Sequence, residues 1–128
     1  MARNITTIDF AFDTPRYYTS LKRLSQKPLR RIALGIAGVG ESVADGLIRQ
    51  IFGQTIGAAW NQHTLAQRGI TLPANCFPYP TALVNYDPTL NNIATAVFGA
   101  MQPIITEMGN QLVFVTAQCE DVRVTRFS

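Results

Sequence analysis

This chain is short of charge, and the shortage is localised. Only 15% of its residues are Asp, Glu, Lys or Arg, against about 25% in an ordinary soluble domain. Between Arg68 and Glu107 the single formal charge is Asp87. A free monomer keeps its surface soluble with mixed charges, so a long uncharged stretch predicts surface covered by another protein. The stretch is not a membrane span, because Pro73, Pro78, Pro80 and Pro103 interrupt it and a lipid-embedded backbone must satisfy its own hydrogen bonds.

Metal-ligating residues are equally scarce. The sequence has one histidine, His63, and two cysteines, Cys76 and Cys119, without C-x-x-C spacing. No metal site is expected. With no signal-peptide pattern at the N-terminus, the cysteines read as free thiols in a reducing compartment, placing the protein in the cytoplasm or within a virion. At 128 residues the chain is expected to be one domain, residues 1–128, with a core that needs no staple.

Basic charge is concentrated at one end. Residues 1–31 hold seven of the eleven basic side chains and two acids, a net of +5, and the remainder nets −2. Arg16, Lys22, Arg23, Lys27, Arg30 and Arg31, with Tyr17 and Tyr18 beside them, combine phosphate-neutralising charge with rings on which bases stack. These eight residues are the candidate contact with nucleic acid or a protein partner. The competing reading is a solvated face, or one paired with an acidic patch.

Gly35-Ile36-Ala37-Gly38-Val39-Gly40-Glu41-Ser42 nearly spells a phosphate-binding loop, G-x-x-x-x-G-K-[ST]. Glu41 stands where the motif needs lysine, and a carboxylate there repels phosphate. The segment therefore reads as a strand-to-helix turn closed by a Ser42 cap. His63 reads as a structural or surface histidine, since nothing supplies it with an orienting acid and a nucleophile. Glu120-Asp121 reads as a hairpin turn, because neighbours on a strand face opposite ways. No catalytic residue and no cofactor is expected.

Periodicity gives an α+β class: two main helices, about 42–68 and 88–108, packed on a small, mostly antiparallel sheet that includes the N- and C-terminal strands. Strands are predicted over Asn4–Phe12, Ile32–Ile36, Gln111–Gln118 and Val122–Phe127, with a further short one at Ala82–Tyr86. Asp13-Thr14-Pro15 signals a short helix to about Gln26. Residues 70–86 form a proline-rich extended connection. Asp87-Pro88 opens the second helix, Pro103 kinks it, and Gly109 ends it.

The first helix carries Gly46, Gly53 and Gly57, each costing roughly 1 kcal/mol relative to alanine. Either another chain approaches closely at these glycines, making them oligomer contacts, or the helix breaks near Gly53 or Gly57. These features favour a non-catalytic structural or assembly protein acting as a repeated homo-oligomeric subunit, such as a virion component of capsid or tail. The alternative is a small nucleic-acid-binding protein working through its basic N-terminal segment. Third comes a degenerate phosphate-loop nucleotide binder.

Overall fold

A computed structural model describes residues 5–18, 23–24, 27–38, 45–69 and 79–128. In chain order the strands are β1 (Ile5–Thr14), β2 (Tyr17–Tyr18), β3 (Arg23–Leu24) and β4 (Leu29–Gly38). A helical segment follows: α1 (Asp45–Phe52), a π-helical turn (Gly53–Gly57) and α2 (Ala58–Trp60). The chain continues through β5 (Thr64–Gln67), β6 (Thr81–Val84), α3 (Leu90–Glu107), β7 (Asn110–Gln118) and β8 (Arg123–Phe127). The main sheet has the order β1-β4-β7-β8 and every pair in it is antiparallel. The α+β class, and a sheet that includes both terminal strands, are as the periodicity predicts.

One face of this sheet makes the core. Ile8 and Phe12 of β1, Ile32, Leu34 and Ile36 of β4, and Leu112, Val115 and Ala117 of β7 are buried against the helices. From α3 come Leu90, Ile93, Ala94, Val97, Phe98, Met101 and Ile105, and from α1 Ile48 and Phe52. Burying one such large side chain stabilises by roughly 1.5–3 kcal/mol, so this layer dominates the fold energetics. Phe10 is half-buried and stacks on Phe52, ring centroids 3.9 Å apart, which ties α1 to the edge strand β1.

Four boundaries differ from expectation. Among the described residues, the helix predicted after Asp13 is replaced by extended chain. β1 runs on to Thr14, Arg16 bridges to Leu65, and Tyr17–Tyr18 pair with Arg23–Leu24. Thr14 is buried with its hydroxyl donating to the Trp60 carbonyl, and the Pro15 carbonyl accepts from Leu65 N–H. Tertiary partners thus override the proline signal, in a segment rich in Thr and Tyr that suits strands.

The first long helix stops at Trp60 instead of Arg68. Asn61 is extended, Gln62 has φ 56°, and Thr64–Gln67 pair in parallel with Thr81–Val84. Gly53 and Gly57 neither break the helix nor leave it regular; they bracket a widened turn. Thr55 Oγ1 donates to the Ile51 carbonyl at 2.7 Å, a side chain competing within the helical ladder. Leu47 of α1 is exposed.

The second helix is capped by Thr89, whose side chain accepts from Asn92 N–H, and not by Asp87. Pro88 therefore precedes the helix. Asp87 offers its backbone carbonyl to the Asn92 side chain. Helix α3 continues as one element past Pro103 to Glu107, and Gly109 ends it at φ +78°. The short strand expected at Ile32–Ile36 is ten residues long, which places Gly35 and Gly38 inside β4 and outside any turn. Val39, Gly40, Glu41 and Ser42 lie outside the described residues, as does the Ser42 cap.

Gly35 has a packing reason. A Cβ built there would sit 2.0 Å from the Phe114 ring, which lies across it from the paired position on β7. Among the described residues no helix is long and apolar enough to cross a membrane.

Candidate functional site

The eight basic-segment candidates scatter. Arg16 is 2% exposed. Its guanidinium donates to the carbonyls of Lys27 (2.8 Å) and Pro88 (3.4 Å) and to Cys119 Sγ (2.9 Å), and lies 5.0 Å from the centre of the Tyr18 ring. It therefore fastens the loop before β4, the approach to α3 and the end of β7 to one another. Tyr17 is buried and Tyr18 half-buried. Burial pushes the Cys119 thiol up from its ordinary value, and the positive charge of Arg16 only partly opposes this.

Three other candidates, Lys27 and Arg30 exposed and Arg31 half-buried, are engaged. Lys27 Nζ pairs with Asp121 at 2.9 Å, Arg30 with Asp13 at 3.0 Å and Glu120 at 3.6 Å, and Arg31 with Asp9. The Asp121 hydrogen bond raises the Lys27 pKa, and reciprocally Lys27 lowers that of Asp121. Glu120 and Asp121 form the β7–β8 turn as expected, and there they anchor the basic segment instead of forming a paired-carboxylate site. Lys22 and the side chain of Arg23 lie outside the described residues.

The Tyr86 hydroxyl is buried with no hydrogen-bond partner among the described residues, and burial pushes its pKa up to about 12 from 10.0. A raised folded-state pKa means stability that is complete below pH 10 and lost as pH rises through 10 to 12. Tyr86→Phe is expected to be neutral or stabilising by up to about 1 kcal/mol at pH 8, because no bond is lost and an orphan hydroxyl is removed. It should also flatten the alkaline limb of the stability curve in urea titrations.

The three glycines sit together only in part. Gly53 and Gly57 line a cleft of about 490 Å³ between the π turn and β1, with Asp9, Phe10, Ala11 and Phe12 on the other wall. A Cβ at Gly53 or Gly46 would meet nothing within 4 Å, and at Gly57 it would reach only the Phe52 carbonyl at 3.4 Å. The glycines are not required by the domain's own packing. Gly53→Leu is accordingly expected to leave the subunit folded, with its thermal midpoint little changed in a melting curve.

The edges of the main sheet are the feature that charge counting alone misses. At β1 the Asp9 carbonyl accepts from Arg49 at 3.4 Å, which shows that Asp9 turns its backbone groups away from β4. Ile5, Thr7 and Ala11 share that direction by strand alternation. Farther along, the edge closes: Asp13 N–H donates to Asn61 Oδ1, and its carbonyl accepts from Gln62. At β8, Val122 and Ser128 bond to Cys119 and Val113 respectively. Residues 122, 124, 126 and 128 thus face β7, while Arg123, Thr125 and Phe127 direct their backbone groups outward.

His63 Nδ1 donates to the Asn61 carbonyl at 2.9 Å. Among the described residues no group of three His, Cys, Asp or Glu side chains could hold a metal.

No protein-family model matches this chain, and no curated protein matches it. Solved structures do. The crystal structure of the uncharacterized protein WS1659 from Wolinella succinogenes aligns with a TM-score of 0.79, covering 100% of this chain and 99% of that one at 10% identity. At that identity the likeness is one of fold.

Proposed function

We propose that this protein is a non-catalytic structural subunit that works by assembling with copies of itself, of the kind that builds a capsid or tail structure. The observation that carries the reading is a sheet left open at both ends. β1 from Ile5 to Ala11 and β8 from Arg123 to Phe127 pair on one side only among the described residues. Such edges are normally blunted, because they template pairing with another chain. Exposed Ile5, Val122 and Phe127 lie on these same edges or at their ends. The uncharged stretch beyond Arg68 and the unfilled space at Gly53 also support a covered surface.

The nucleic-acid reading draws less support from the geometry, since Arg16 and Tyr17 are buried and Lys27, Arg30 and Arg31 already face carboxylates. Negative-stain electron microscopy of concentrated protein tests the assembly reading. Rings, tubes or sheets of repeating subunits are expected, and a field of isolated small particles at all concentrations would reject it. Anisotropy titration with single- and double-stranded DNA at low salt tests the alternative, with no tight binding expected.

A further inference from the structure

We infer that copies of this chain join head to tail through their main sheets, with β8 of one copy adding in antiparallel fashion to the open part of β1 of the next. This rests on the assembly reading and specifies its interface. Within the sheet the strands alternate in direction, so β1 and β8, at opposite edges, run opposite ways. A second copy displaced by one sheet width in the same orientation therefore presents an antiparallel partner and keeps its helices on the same side.

The register follows from the outward-facing residues. Setting Asp9 opposite Arg123 of the next copy brings Thr7 opposite Thr125 and Ile5 opposite Phe127. All six direct their backbone groups out of the sheet, so they can exchange ladder hydrogen bonds. Charge agrees at one position: Asp9, already paired with Arg31 of its own subunit, gains Arg123 of the next copy as a second cation, and β8 carries no acid to repel it. Opposite charges facing across strands favour pairing, and like charges oppose it.

Apolar surface agrees as well. Ile5 and Phe127 are 47% and 60% exposed, and the register places them side by side, extending the row in which Phe127 already meets Phe114. It also brings Val122, 45% exposed, opposite Phe10, in the cleft bordered by Gly53 and Gly57. The junction displaces two side-chain contacts to outward carbonyls, the long one from Arg49 to Asp9 at 3.4 Å and the one from Arg126 to Phe127 at 2.7 Å. Because the interface is heterologous, it closes into a ring or continues as a filament according to the rotation between copies.

A cysteine pair reads this junction directly. In a Cys76→Ala background, Thr7→Cys with Thr125→Cys cannot cross-link within one chain, since β1 and β8 lie three strand spacings of about 4.8 Å apart. Between copies the paired Cα atoms would stand about 5.5 Å apart, within disulfide range. Mild oxidation is expected to give a reducible ladder of covalent multimers, and Thr7→Cys or Thr125→Cys alone, each beside the buried Cys119, is expected to give none.

Arg123→Pro provides a second arm. It removes an outward N–H and a positive charge at the first residue of β8, where proline is tolerated. It should abolish association while leaving the unfolding midpoint unchanged. If wild-type protein is multimeric by light scattering, yet the double cysteine variant gives no ladder or Arg123→Pro stays assembled, this junction is wrong and assembly stands. A wild-type protein that is monomeric throughout overturns both.

Discussion

Arg16→Met is expected to destabilise the subunit by on the order of 3 kcal/mol or more, measured by urea denaturation. The guanidinium is almost wholly buried and serves acceptors from three sequence-distant places: Lys27, Pro88 and Cys119. Each hydrogen bond from a charged donor contributes roughly 1.5–3 kcal/mol, and each buried acceptor left behind costs about 1–3 kcal/mol. Methionine fills much of the volume but supplies no donor. Arg16→Lys should recover only part of the loss, since one ammonium on a flexible stem does not reproduce a planar fork. A near-neutral Arg16→Met would show that Arg16 contributes charge and little structure, and would return it to the basic surface proposed from sequence.

Gly35→Ala is the second large effect, expected at about 1–3 kcal/mol, the usual range for overpacking. The new methyl would lie 2.0–2.5 Å from three atoms of the Phe114 ring, so the ring must leave its place across β4. Phe114 is half-exposed and can swing outward, which limits the loss. The double variant with Phe114→Ala distinguishes this from intrinsic strand propensity. If the ring is the cause, the Gly35→Ala penalty largely disappears in the Phe114→Ala background, a coupling that a double-mutant cycle measures. An undiminished penalty would place its origin in the backbone.

How far the sequence could be read varies element by element. β1 and α3 were legible because each keeps one period long enough to define a buried face: Ile8–Phe10–Phe12 at two, Ile93–Val97–Met101–Ile105 near 3.6; β7 and β8 were legible from their strand-favouring Val, Thr and Phe residues. The β5–β6 pair was not, because Thr64–Gln67 is too short to set a period and its partner lies beyond a long connection. There the helical pattern simply ran on past Trp60. Gly35 matched a phosphate loop in spelling, yet its role is to accept an aromatic ring from β7.

Arg16 shows the same limit at the candidate site. Its acceptors lie 11, 72 and 103 positions away, and no local pattern distinguishes an enclosed arginine from a solvated one. Counting charge placed Arg30 and Arg31 on a free basic face, while Asp9 and Asp13, which neutralise them, lay within the same segment. That β1 and β8 form the edges of the main sheet is set by the topology. Which backbone groups point outward required the register.

Static light scattering on wild-type protein, over a range of concentrations at low and high salt, is the most direct test of self-assembly. A mass several-fold above the 14.1 kDa of one chain is expected, reduced by high salt to the extent that Asp9 and Arg123 hold the copies together. A mass of one chain at every concentration and both salts would contradict it.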